Sequence, residues 1–242
     1  MSTDHAIQVR GIKVQVVRKA IKNLHLGVYP PNGRVRVAAP KAVSNDAVRL
    51  AVIGKLGWIG RQRRKFLGQA RQSRREMVSG ESHYFLGRRY RLRVVEFEGS
   101  AAQGVKERPG IIELNVRVGA GTSGREAVLD AWYREQLREV AGLLMEKWQR
   151  KLGVEAADWG IKRMKTKWGA CNADSRRVWL NLELVKSPPQ CIEYIVVHEL
   201  VHLVTRRHDE RFFSLMDRHL PSWRARRELL NSAPLPHVVW PC

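Results

Sequence analysis

Apolar and polar positions alternate in short runs over residues 7–39, as IQVRGIKVQVVRKA and then NLHLGVYPPNGRVRVAAP, with Pro30-Pro31-Asn32-Gly33 supplying turn chemistry between them. This pattern predicts an opening β meander. After Pro40 the period changes. Ser44 stands where a helix cap belongs, and Ala47, Val48, Leu50, Ala51, Ile53 and Leu56 follow at helical spacing through Trp58-Ile59. Strand periodicity returns in HYFLGRRYRLRVVEFEG and GIIELNVRVG. Beyond it, Leu129, Trp132, Tyr133, Leu137, Val140, Leu144 and Trp148 predict one long amphipathic helix to about Lys151. Two strands are predicted at 159–168 and 177–184, then a helix from Gln190 to about Thr205 entered through Ser187-Pro188-Pro189.

Strand runs followed by helices make an α+β class, and the small-residue stretch Gly119–Gly124 looks like a joint. Three segments are therefore expected: a basic, β-rich N-terminal domain over 1–122, a second domain over 123–232, and a Pro-containing tail over 233–242. A chain of 242 residues suits two modest domains.

Charge adds the next constraint. Lys and Arg number 44 against 23 acids, a net +21, and a surplus of this size attracts polyanions without choosing among them. Its densest stretch is 61–93, with eleven Lys or Arg against Glu76 and Glu81. Helical spacing puts Arg61, Arg64 and Lys65 on one face, and Arg71, Arg74 and Arg75 on another; Arg64, Lys65, Arg71 and Arg75 are the candidate phosphate contacts, and a merely solvated face is the plainer reading. No window approaches the roughly 18 apolar residues of a membrane span, and the first residues lack signal-peptide character. Cys171, Cys191 and Cys242 form neither an even disulfide set nor a Cys-x-x-Cys pair, so reduced thiols in the cytoplasm are expected.

The helix at 190–205, QCIEYIVVHELVHLVT, is apolar nearly all round and yet carries His198, Glu199 and His202. Burying three such groups is costly unless they pair or bind a metal. Positions i and i+4 are offset by about 40° and one turn, so both imidazoles can reach one ion from the same face. Glu199 then sits beside the open coordination position, placed to take a proton from a zinc-bound water. Catalytic zinc generally takes three protein ligands. His208, just past the helix end, is the best-placed third; His219, His237, a distant acid and Cys171 remain alternatives. Lys167 and Arg207 are candidates for the oxyanion, and Lys167 with Trp168 for the substrate rim, although a Trp-Gly turn with a buried Cys is most simply packing.

With these residues in view, MKTKWGACNADSRRVWLNLELVKSPPQCIEYIVVHELVHLVTRRHDERFFSLMDRHLPSW resembles the YgjP-like zinc metallopeptidase family, itself similar to the SprT-like and WLM metalloproteases. The matching pieces are Trp168-Gly169-Ala170-Cys171, Leu180-Asn181, the His198–His202 signature, His208 followed by Phe212, and Pro221 with Trp223. Weaker likeness runs upstream through Trp58-Ile59 and Gly80-Glu81 to Leu86–Tyr90. The resemblance implies a zincin-like C-terminal fold with a strand edge above the active-site helix, His208 as third ligand and one Zn2+ per chain. The chain departs from the family at Ala170, usually Ser, and at Asp209, commonly Ser or Gly.

The expected reaction is peptide hydrolysis, with Glu199 as general base for a zinc-activated water. Two other classes use the same features. Zinc hydroxide beside a basic surface could hydrolyse a nucleotide or phosphoanhydride, and a DNA-associated protease could act on DNA-bound proteins. The second of these rests on charge alone.

Overall fold

The computed structural model describes residues 4–29, 32–68, 75–164 and 167–232. The architecture is mixed α and β, and the chain divides between Gln72 and Ser73 into two compact units, each with its own apolar core. No helix among the described residues is long and apolar enough to cross a membrane. The 233–242 tail lies outside the described residues.

The first unit opens with strands β1 (Asp4–Val9) and β2 (Ile12–Lys19), joined through Arg10 and Gly11, both at positive φ. Such a two-residue turn matches the twist of a hairpin. Strands β3 (His25–Tyr29) and β4 (Arg34–Pro40) complete a sheet of order β1-β2-β4-β3, with β2 and β4 parallel. Alternation puts Val14, Val16, Val35 and Val37 on one face. Helix α1 (Asn45–Ile53) and helix α2 (Leu56–Gly68) contribute Val48, Val52 and Ile59 to that core. Ser44 caps α1 as its sequence suggests, its side chain accepting from the Ala47 amide at 3.1 Å.

The second unit repeats this strand topology with an unrelated sequence. Strands β5 (Ser82–Phe85), β6 (Arg88–Phe97), β7 (Gly104–Arg108) and β8 (Ile111–Arg117) take the order β5-β6-β8-β7, again with the middle pair parallel. Helix α3 (Thr122–Leu152) follows. Leu129, Tyr133, Leu137, Ala141, Met145 and Trp148 form its buried stripe, and Gly153 ends it in the left-handed conformation. That stripe shares one core with Leu92, Ile112, Leu114 and Val116 of the sheet. The boundary expected at 122 therefore does not coincide with the observed division: the small residues at 119–121 are a turn that feeds α3, and the sheet before them belongs with the helix after them.

A third sheet, of order β10-β11-β9, is made by β9 (Asp158–Lys162), β10 (Gly169–Asn172) and β11 (Arg177–Asn181). The single strand expected over 159–168 stops at Lys162, because Arg163 turns to pair with Glu126 and Asp130 of α3. The strand expected to reach 184 stops at Asn181, whose side chain accepts from the Glu183 amide and starts a 3-10 turn over Leu182–Lys186. Three helices follow: α4 (Pro189–Val201), α5 (Glu210–His219) and α6 (Trp223–Ser232). Nine of the residues of α4 are buried, as its all-round apolar pattern requires.

Candidate metal centre

Helix α4 delivers His198 one turn before its end and His202 at its C-cap. The chain then turns through 203–209 and brings back His208. The three rings gather with centroids 4.7–4.9 Å apart, and one nitrogen from each lies within 4.8 Å of the others. Nε2 of His198 and Nε2 of His208 face each other at 3.1 Å.

The return turn is held by its own side chains. Thr205 is buried, and its hydroxyl donates to the Asp209 carboxylate at 3.3 Å. Asp209 in turn accepts from the Phe212 amide at 3.0 Å, capping α5. That amide holds the Asp209 carboxyl below its usual range. The cap places Phe212, 1% exposed, against all three imidazoles, with centroids 4.6–5.0 Å away. Tyr194 meets His198 edge-on at 5.8 Å.

The donor set fits a metal. Burial, reinforced by the neighbouring imidazoles, lowers His198 to about 3 and lowers His208 in the same direction, so both rings offer neutral lone pairs. Nδ1 of His202 lies 3.1 Å from the Thr205 carbonyl; as a donor there, it leaves Nε2 free to coordinate, the arrangement that orients ligating histidines. Two nitrogens bound tetrahedrally at about 2.0–2.1 Å from zinc are about 3.3 Å apart, close to the observed His198–His208 separation.

Glu199 is 5% exposed, and burial pushes its carboxyl up to about 8, with the Lys167 charge pulling the other way. A cation at the histidines would pull with Lys167, toward the carboxylate. The side chain rests on Gly169 of β10: a Cβ at that position would lie 2.4 Å from Oε1 and 2.6 Å from Cγ. Cys171, two residues further along, is held as a neutral thiol, pushed up to about 11 by burial and then by Glu199. Among the described residues it is outside the histidine cluster, as is His219 at the end of α5. His237 lies outside the described residues.

Lys167 is exposed and Trp168 half-buried. Both are anchored by Asn181: its Nδ2 donates to the carbonyls of Met164 and Lys167 at 2.8 and 2.7 Å, and its backbone amide to that of Trp168 at 2.9 Å. Arg207 is exposed on the return turn. Of the expected phosphate contacts, Arg64 and Arg75 belong to different units. Arg64 is exposed on α2 of the first unit, whereas Arg75 is half-buried in the second, its charge acting on His83 and Tyr133. The Lys65 side chain and Arg71 lie outside the described residues.

Four contributors escaped the sequence reading. Gly169 sits in the Trp-Gly turn whose simplest reading is packing, Asn181 in a piece of the family resemblance that carries no assigned role, and Thr205 follows the signature helix without any pattern of its own. Arg227 of α6, whose charge reaches His198, His208 and Tyr194, gave no signal at all.

A family model described as YgjP-like, metallopeptidase domain, matches residues 22–233. Among solved structures, the metallopeptidase zymogen of Pyrococcus abyssi abylysin is 22% identical with a TM-score of 0.33, over 37% of this chain and 87% of that one. The zymogen of Methanocaldococcus jannaschii jannalysin is 19% identical with a TM-score of 0.34, over 37% and 92%. No match is found among curated proteins.

Proposed function

Since the chain belongs to the YgjP-like metallopeptidase family and is thus a hydrolase of peptide bonds that works with a metal, we propose that it binds one zinc ion through His198, His202 and His208 and uses Glu199 as general base. The observation that carries this reading is the convergence of three imidazoles beside one buried carboxyl. The zincin-like arrangement, with the edge strand β10 beside the signature helix, belongs to the same proposal. When bound, zinc would supply Lewis acidity and would lower the pKa of a water at its open position.

Glu199 takes a proton from the attacking water and returns it to the leaving amine, so one carboxyl serves both transfers. A cation held at the histidines would draw this carboxyl toward the ionised form in which it acts as a base. Gly169 fixes where that carboxyl can stand. Asn181 fixes the backbone that carries Lys167 and Trp168 to the rim, where they are the proposed substrate contacts. Family membership favours peptides over nucleotides or phosphoanhydrides as substrates.

Glu199→Gln keeps the side chain's size and removes its basicity. The protein should fold and keep its metal, while turnover of a fluorogenic peptide library falls on the order of 10²- to 10⁴-fold. Wild-type turnover in a metal-loaded Glu199→Gln protein would end this mechanism.

A further inference from the structure

Before Ser73 the sequence holds fifteen Lys and Arg against two acids, Asp4 and Asp46. The first unit therefore carries most of the chain's surplus charge without the means to neutralise it internally. It also contains a cleft of about 540 Å³. Lys13, Arg34 and Arg63 line this cleft, and among the described residues no acid does. Among the described residues, none of the three is paired with a carboxylate.

The site has a built character. Gly33, at a φ of +65°, lets the Arg63 stem approach so closely that a Cβ at Gly33 would lie 2.7 Å from Cγ. Among the described residues, two buried side-chain nitrogens lack a hydrogen-bond partner, and both are arginine Nε atoms of this unit, Arg36 and Arg63. Arg63 lines the cleft; Arg36 is the register partner of Gln15, which lines it too. A buried donor on a charged group is costly to leave unmade, and these two mark guanidiniums whose charge the surrounding protein does not satisfy at Nε.

Size and composition narrow the ligand further. The volume falls in the range of small-molecule sites and exceeds what a bare oxyanion fills. Ala6, Ile12 and Val35 give it an apolar wall, and Asn32 adds an amide at the rim. Three converging cations suit a dianion, and guanidinium forks match phosphate oxygens. We propose that this cleft binds a small phosphate ester of nucleotide size, through residues separate from the histidine cluster and without hydrolysing it.

Calorimetry on the full-length, metal-loaded protein at low salt tests this, with adenosine monophosphate, ribose 5-phosphate, inorganic phosphate, adenosine and a short single-stranded oligonucleotide as probes. The esters should bind, with inorganic phosphate at least about tenfold weaker, as expected if the apolar wall contributes. Lys13→Gln and Arg34→Gln alter exposed side chains and should spare the fold, yet each should weaken the ester about tenfold, as the loss of a charge-assisted contact implies. Glu199→Gln should bind the ester as the wild type does, which separates this site from the peptidase reading. The proposal is overturned if no ester binds, if inorganic phosphate binds equally well, if only the oligonucleotide binds, if the Lys13→Gln and Arg34→Gln variants keep full affinity, or if Glu199→Gln abolishes binding.

Discussion

Gly169→Ala adds one methyl group at the place where the account has least tolerance. The new Cβ would stand 2.4, 2.6 and 2.7 Å from Oε1, Cγ and Cδ of Glu199, where even tight contacts of real Cβ atoms keep 3.0–3.4 Å. Relief requires the carboxyl to retreat by about 0.5–1 Å, since Gly169 lies in a paired strand and is harder to move. The φ of Gly169 is not in the left-handed region, so Ala costs the backbone nothing special, and overpacking should destabilise by about 1–3 kcal/mol. Catalysis should suffer more. A displacement of about 1 Å in a positioned group can cost about 10²-fold, equivalent to about 2.7 kcal/mol in the barrier. The assay is steady-state peptide turnover alongside metal content and thermal unfolding. The expected result is full metal occupancy, a modestly lowered Tm and kcat down about 10²-fold. Wild-type kcat in a folded, metal-loaded Gly169→Ala protein would refute the claim that β10 fixes the base.

Two further outcomes follow from side chains that brace the site. Glu193 joins three helices, accepting from Lys147 at 2.7 Å, Trp148 at 2.9 Å and Arg226 at 2.5 Å. Burial alone would raise its carboxyl, but those donors outweigh burial and hold it at about 2. A depressed carboxylate stabilises the fold above its unfolded pKa, near 4.5, and that stability is lost as pH falls from there toward about 2. Glu193→Gln should therefore cost about 2 kcal/mol at neutral pH, with allowance made for residual solvent contact. The gap to wild type should close in urea melts as the pH is lowered through that window; a gap independent of pH would count against the assignment. Asn181→Ala removes both donors to the Met164 and Lys167 carbonyls and should lower stability by about 2–3 kcal/mol. It should also reduce kcat/KM by loosening Lys167 and Trp168, and unchanged kinetics in the folded variant would make Asn181 structural only.

The signature helix was legible because two signals coincide there. The i, i+4 histidines give the geometry, and the flanking Ile195, Val196, Val197, Leu200 and Val201 say that the helix is inside. His208 was legible as the first histidine after that helix ends, and the stripe of α3 from its 3.6-residue period. What could not be read was long-range. Nothing local tells a flexible joint from a tight turn, so Gly119–Gly124 suggests a domain boundary where the structure has a turn and the start of α3 inside one unit. Lys162 ends β9 because Arg163 finds Glu126 and Asp130 on a helix more than thirty residues upstream, a partnership outside any sequence window. The contact of Gly169 with Glu199 is of the same kind. The shared strand topology of the two units was hidden as well, since two different apolar patterns satisfy one set of pairings.

Metal content of the purified protein tests the central claim most directly, measured for the wild type and for His198→Ala, His202→Ala and His208→Ala under identical loading. The account predicts about one zinc per wild-type chain and depletion in each of the three variants, with Glu199→Gln keeping wild-type occupancy. Full occupancy in His208→Ala, or loss of zinc in Glu199→Gln, would contradict it.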